Sequence, residues 1–503
     1  MKTLKSIKII SFLFFLTLIA GSIGCKKTLD INHDPNNPSL DVGTPKLVFP
    51  AAVMTVAGSE GGDLAILGAI YGEYISQSAA SNQYKYIDAY NVKSSDLNGP
   101  YTRLFSGGLK NFQFIIDKAK ATEDWNFYLM GTVMKAYATG LLVDLYDKIP
   151  YSEALQGNSN LNPKFEDGYT IYKSLLGELD TALSKDFTAR TVTDLTATKE
   201  GSIDLVFQGD MTKWIQFANT LELKMYLRMI NAKPTEAEAG VKALYARNAE
   251  FLSSDAGVIE GFTDAPGQDN PLYEQNIRQL NTPDNLRAST TFVSFLQENS
   301  DPRLNVYFKL PPSSSVLTSI NQGDFLNNSN DVLTAAIFRQ NPTDPVIFIS
   351  EAESYFLQAE ARERYFAGAD AKGLYDQGVL SAFASVGEDG SALIKSGAAY
   401  AYPVSGTLNQ KIEAIVVQKW ASFPYGVHFI EGWFERNRTG FPKTSAVYSS
   451  SSSYIPGQFV VSKNSVLPPG QFPKRLVFPD VEKLRNTSTP AEVPSTTPVW
   501  WGL

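Results

Sequence analysis

Apolar positions recur at helical spacing in four separated stretches of the chain. Between Asn126 and Asp147, Tyr128, Met130, Val133, Tyr137, Leu141 and Leu145 form an inward stripe, and from about Gly168 to Leu183 a second segment carries Ile171, Leu175, Leu176 and Leu179. Pro150 and Pro163 lie between them, ending one helix and delaying the other, which predicts an αα-hairpin. A second hairpin places Trp214, Phe217, Ala218, Leu221 and Met225 on one face and then, after Pro234, runs over residues 237–252. A third runs from Ile349 through Ala352, Phe356, Ala359 and Phe366, breaks at Gly368, and continues with Tyr375, Val379, Ala382 and Phe383. The fourth begins near Gln410, turns at Phe423-Pro424 and resumes with Ile430, Trp433 and Phe434.

The pattern predicts a mainly α fold. Alanines and aromatics stand where paired helices must approach, so the hairpins resemble tetratricopeptide-like units. They start near residues 128, 212, 350 and 410, which excludes a simple tandem array and requires long insertions between units. The main insertions are 81–105, 255–345 and 441–475, rich in Asn, Gly, Pro, Ser and Tyr. Irregular segments this long in a compact domain are usually functional.

The N-terminus reads differently. Lys2, Lys5 and Lys8 precede an apolar run from Ile9 to Ala20, followed by Gly21, Ser22 and Gly24 just before Cys25. That is the layout of an export signal, and the run falls short of the roughly 20 residues that cross a bilayer. A lone Cys directly after such a segment resembles a lipobox, although Ser22 and Ile23 stand where many lipoboxes carry other residues. Acylation there would anchor the chain to a membrane. Residues 1–24 are therefore read as a lipoprotein signal peptide, 25–45 as a lipidated tether and 46–503 as one helical domain.

Composition narrows the chemistry. The chain has 503 residues, 19% of them charged, and a formal charge of −8, which becomes more negative once the basic leader is removed; nucleic acid is an unlikely partner on that ground. One cysteine excludes an internal disulfide and a thiolate metal cluster, and two histidines, His33 and His428, leave no HExxH pattern. No cofactor is called for, and no metal is assigned. Asp30, Asn32, Asp34 and Asp41 fall at positions of a calcium-loop template, but Pro35 occupies the position that needs glycine; Asx turns on the tether are the better reading.

Several ordered motifs carry a family resemblance. They are Leu29 to Pro38 after the lipobox, Asp144-Leu145-Tyr146-Asp147-Lys148-Ile149-Pro150-Tyr151 closing the first helix, and Lys213-Trp214-Ile215-Gln216-Phe217-Ala218-Asn219. Asp301-Pro302-Arg303-Leu304, Glu413 to Trp420, and Arg475-Leu476 with Phe478-Pro479 follow in order. Together they resemble the SusD/RagB family of outer-membrane nutrient-binding lipoproteins. The resemblance implies a SusD-like single domain at the cell surface that binds a glycan, or in some members a peptide, for a SusC-like TonB-dependent outer-membrane transporter. It implies binding without catalysis.

Two clusters are candidates for the ligand. Asn82, Gln83, Tyr84, Tyr86, Tyr90 and Asn91 alternate amides with Tyr in the first insertion, and Asp269, Asn270, Tyr273, Asn276, Arg278 and Gln279 embed an aromatic among amides in the second. Sugar rings stack their C–H faces on aromatics while amides satisfy hydroxyls. Arg278 would bind a carboxylate or a hydroxyl; its ordinary alternative is a solvated loop charge. Asp144, Asp147 and Glu153 are the acids a glycosidase reading would use, but that chemistry needs two carboxylates about 5 to 9 Å apart across a cleft, and helix-end roles suit them better. His428, among aromatics, reads as a packed neutral histidine.

Overall fold

In the computed structural model, residues 43–195, 203–282 and 285–503 are described. The leader, Cys25 and the series Asp30, Asn32, Asp34 and Asp41 lie outside them. In chain order the main helices are α1 (Pro45–Ser59), α2 (Ala65–Tyr71), α3 (Lys110–Thr122), α4 (Trp125–Tyr146), α5 (Gly168–Leu183) and α6 (Met211–Arg228). They continue as α7 (Pro234–Ala246), α8 (Thr290–Glu298), α9 (Glu351–Tyr365), α10 (Ala371–Ala384), α11 (Leu408–Ser422) and α12 (Phe429–Thr439). The four expected hairpins are α4–α5, α6–α7, α9–α10 and α11–α12.

Local chemistry sets their starts. The carboxylate of Asp167 accepts the Thr170 N–H at the head of α5, that of Asp210 accepts from Thr212 and Lys213 at α6, and the Ser350 hydroxyl oxygen accepts from Glu353 at α9. Thr407 and Gln410 form a reciprocal capping box on α11. Each such cap satisfies amides that the first turn leaves without an acceptor. Helix α7 stops at Ala246, short of the expected 252, because Asn248 takes a left-handed φ of 53° and closes the turn.

The core continues through α1 to α3, which the amphipathic stripes do not announce. Residues 45–71 are long and apolar enough to cross a membrane by composition, yet 78% of an apolar 18-residue window within them is buried inside the fold: this is a core segment. Phe49 of α1 packs among Phe112, Phe127 and Trp214, with ring centroids 5.8 to 6.3 Å away. Helix α12 crosses α2 at Gly68, where a Cβ would collide with the backbone of Ile430.

The middle insertion is more ordered than its composition predicts. It contains α8 and contributes three strands to a small antiparallel sheet in the order Ile75–Gln77, Leu286–Ala288, Ile337–Phe338, Phe308–Lys309. Ile75 pairs with Ala288 and Gln77 with Leu286. Strands of two to four residues are too short to show an alternating pattern.

Under the helices lies a buried ion network to which every hairpin contributes. Asp144 comes from the first, Lys224 and Arg228 from the second, Glu353 and Glu360 from the third, and Lys419, Glu431, Glu435 and Arg438 from the fourth. Arg438 bridges Glu360 at 2.7 Å and Glu435 at 2.6 Å; Arg228 reaches Glu431 at 2.6 Å and Glu435 at 3.1 Å. Lys224 joins Glu353 at 2.9 Å to Glu431 at 3.0 Å. Such charges persist in a core only when paired, so the network fixes which helices meet.

Candidate functional site

The site begins with a break in a helix. Between α1 and α2 the turn Glu60–Leu64 widens, and Gly62 leaves helical geometry at φ −104°, ψ −109°. A side chain at Gly61 would run into Val346, and one at Gly62 would press on Gln275 and Pro271, so the glycine pair lets the second insertion approach the backbone. Asp63 is thereby turned outward. Its carboxylate accepts from Arg103 Nη2 at 2.6 Å, at the end of the first insertion, and from Gln275 Nε2 at 2.6 Å, in the second.

A second joint lies at Asp88, which is fully buried. It accepts from the Ser76 hydroxyl at 2.8 Å, the Gln77 N–H at 2.9 Å and Gln322 Nε2 at 2.7 Å. Burial raises its carboxyl to about 6 against the pull of those donors. The third insertion closes on the same face: the Val466 N–H donates to the Ala89 carbonyl at 2.9 Å, the Lys463 N–H to the Gln322 carbonyl at 3.0 Å, and the Ser449 hydroxyl to Asn321 Oδ1 at 2.8 Å. All three long insertions, far apart in the chain, therefore meet on one side of the molecule.

The residues picked from sequence divide there. Asn82 and Gln83 are exposed, Tyr86 and Asn91 half-buried, and Tyr273 and Arg278 half-buried in the facing insertion. Burial, then the charges of Asp96 and Asp63, lift the Tyr86 phenol to about 12, which places it in the field of the Asp63 joint. Tyr84, Tyr90, Asn270 and Asn276 are buried. Tyr90 packs edge-on against Tyr71 at 5.5 Å and also against Phe472. Asn270 caps a short turn, accepting from Leu272 at 2.9 Å and Tyr273 at 3.2 Å while donating to the Asp344 carbonyl at 2.9 Å, and Asn276 donates to Gln340 at 3.3 Å. Their polarity serves turns, and composition alone does not distinguish that from ligand chemistry.

Arg278 is partly exposed and ion-paired. It pairs with Asp264 at 2.6 Å and with Asp269, and lies over the Tyr273 ring at 5.5 Å. Gln279 is exposed and donates to Glu274 at 3.2 Å. Asp63, Arg103 and Gln275 were not among the candidates; the signal that marks them is the Gly61-Gly62-Asp63 interruption inside an otherwise apolar helix.

The acids of the glycosidase reading have structural roles. Asp144 is buried, accepts from the Tyr172 hydroxyl at 2.6 Å and Trp501 Nε1 at 2.7 Å, and faces Arg228 at 3.5 Å. Asp147 accepts the Trp500 N–H at 2.6 Å and pairs with Arg475 at 3.3 Å, while Glu153 accepts the Lys164 N–H at 3.2 Å. His428 is buried as expected, but its surroundings favour the charged ring over the expected neutral one. Burial opposes its charge, and the carboxylates of Glu353, 3.3 Å from Nε2, and Glu60, 2.7 Å from Nδ1, outweigh that and raise it to about 9. Glu353, His428 and Glu431 cluster closely enough for a metal ion, yet the cations there are the Lys224 ammonium and the imidazolium itself.

The comparisons agree with this architecture. A family model described as starch-binding and associating with the outer membrane matches residues 53–460. The chain belongs to the SusD-like family. Among solved structures, a SusD homolog from Bacteroides uniformis is 20% identical, superposes with a TM-score of 0.74, and is matched over 93% of this chain and 100% of its own. A chitin-binding SusD homolog from Flavobacterium johnsoniae is also 20% identical, with a TM-score of 0.70, covering 91% of this chain and 98% of that one. At these identities the likeness concerns the SusD-like fold. No curated protein matches the sequence.

Proposed function

We propose that this SusD-like protein captures a glycan without transforming it, on the face where its three insertions meet. In this reading it hands the glycan to a SusC-like TonB-dependent outer-membrane transporter and is held at the outer membrane by a lipid on Cys25. The observation that carries the reading is the Asp63 joint, which ties the first insertion to the second; the half-exposed Tyr86 of the first feels the Asp63 charge, and the half-exposed Tyr273 precedes Gln275 by two residues. Arg103 and Arg278 already have acid partners, so the face offers rings, amides and hydroxyls, the chemistry that suits uncharged sugars. The family description and the chitin-binding relative support the same class of ligand.

Titrating chito- and malto-oligosaccharides into the protein and into Tyr86→Ala and Tyr273→Ala tests this. Each variant should bind about tenfold more weakly, the loss of roughly one stacked ring, while no shorter product accumulates. Unchanged affinity in both variants, preference for peptides, or hydrolysis would overturn the reading. Co-purification of an outer-membrane barrel through the tagged protein tests the delivery step.

A further inference from the structure

A second binding feature lies apart from the Asp63 joint, beneath the third insertion. Arg436 of α12 is 6% exposed, and its guanidinium packs on the rings of Phe472 at 3.9 Å and Phe459 at 4.9 Å. One side-chain hydrogen bond is seen among the described residues, from Nη2 to the Thr444 hydroxyl oxygen at 2.8 Å; the buried Nε has no acceptor. The other large cations of this core, Arg228, Arg303, Arg438 and Lys224, each have a carboxylate within 3.1 Å. Arg436 has none within ion-pair distance among the described residues. Glu73 feels its charge, but the Glu73 oxygens are turned to the Thr291 hydroxyl at 2.6 Å and to the Val460 N–H at 3.1 and 3.2 Å.

A second cation adds to the imbalance. Lys474 follows Phe472 by two residues, and burial, with the charge of Arg436 next, lowers its ammonium to about 8. Neither a hydrogen bond nor an ion pair engages the Lys474 ammonium among the described residues, although the Lys474 backbone is fixed by its N–H to the Ser495 carbonyl at 2.7 Å. Two neighbouring, partly desolvated cations repel each other and have lost hydration, which proteins ordinarily offset with an anion. Two rings crowd the guanidinium and its Nε has no acceptor; a planar oxyanion matches the edge of a guanidinium that such a free donor offers. Lys474 is only half-buried and marks the way in from solvent.

We propose that Arg436 and Lys474 together bind one carboxylate group, which lies in the guanidinium plane and is closed off by Phe472. The carboxylate is either a free small acid or the acid group of a sugar. This inference does not rest on the glycan site above, and its failure leaves the neutral-oligosaccharide test untouched.

The test titrates sodium acetate and sodium glucuronate into the full mature protein at constant ionic strength, with the Lys474→Met variant alongside. Lys474 is half-exposed, so the variant should fold and melt close to the parent. Both probes, or one of them, should bind the parent and bind Lys474→Met about tenfold more weakly. Acetate binding as tightly as glucuronate identifies a free acid, and tighter glucuronate identifies a sugar acid; either supports the site. As a check independent of the variant, acylation of Lys474 by a neutral active ester, followed by mass spectrometry, should be slowed by the bound probe while acylation of the exposed Lys463 is not. The proposal is overturned if neither probe binds, if binding is the same in Lys474→Met, or if the probes slow both lysines equally.

Discussion

The hairpin scaffold and the insertion face are held together by opposite means. In the scaffold, charges are buried in mutually neutralising groups: Arg438 sits between Glu360 and Glu435, and Lys224 between Glu353 and Glu431. On the insertion face, single carboxylates collect donors from distant segments: Asp88 from the neutral Ser76, Gln77 and Gln322, and the partly exposed Asp63 from Arg103 and Gln275. Buried ion pairs specify one arrangement and fail severely when broken, whereas hydrogen-bonded joints contribute less each and leave their segments adjustable. The comparison teaches that a surface meant to vary can be mounted on a core that cannot.

The sharpest way to break the contrast is Arg438→Met. It leaves Glu360 and Glu435 buried beside each other with reduced compensation, and should lower stability by about 3 to 5 kcal/mol in a denaturant titration. A loss below about 1 kcal/mol would mean that the network contributes little to holding the hairpins.

The next effect is pH. Because the His428 proton is held to about 9 in the fold against 6.5 in the free side chain, its contribution is complete below 6.5 and disappears as pH rises through 9. Glu73, raised to about 8 by burial, acts in the same direction, since an acid that prefers to be neutral in the fold costs stability as pH climbs from 4.5 toward 8. The melting temperature should therefore fall between pH 6.5 and 9, by the equivalent of about 3 kcal/mol for the His428 part. His428→Gln should flatten most of that slope; an unchanged slope would place the titration elsewhere.

Smaller again is Asp88→Ala on the insertion face. It strands the Ser76 hydroxyl, the Gln77 N–H and the Gln322 amide, at about 2 kcal/mol. Hydrogen exchange should quicken in residues 75–90 and 286–322 while α9 and α10 keep their protection. Uniform loosening of the whole chain would show that the two regions are one cooperative unit.

The same division explains what the sequence discloses. Helices such as α5 and α10 are legible because each buries one face, with Ile171, Leu175 and Leu179 in the first and Tyr375, Val379 and Ala382 in the second repeating at the helical period. Helix α1 is not, since it buries Phe49, Ala52, Val53, Val56 and Ala57 on one face but carries apolar residues such as Leu47 and Ala51 on the exposed face too, so no polar face sets the period, and Pro50 inside it argues against a helix. On the face, residue type points to the right segments and often to the wrong atoms. Asn270 has the amide a sugar needs and spends it on Leu272, Tyr273 and Asp344, and the amide nitrogen of Asn276 goes to Gln340. The Asp63 joint depends on partners 40 and 212 residues away, a relation no local window contains.

The finest test of the contrast is Asp63→Asn, which keeps size and an acceptor while removing charge. Asp63 is 26% exposed and its partner Arg103 46%, so solvent screens the pair and the stability loss should stay near 1 kcal/mol. What should change is local: Arg103 loses its ion pair, the turn Asn98–Arg103 and the turn Glu274–Arg278 exchange amide protons faster, and α4, α6 and α9 do not. Oligosaccharide affinity should fall with them, because Tyr86 and Tyr273 are then held less firmly in register. If affinity falls while both turns stay protected, Asp63 touches the sugar itself; if the turns loosen and affinity holds, the ligand surface lies elsewhere on the face and the joint is only a fastener.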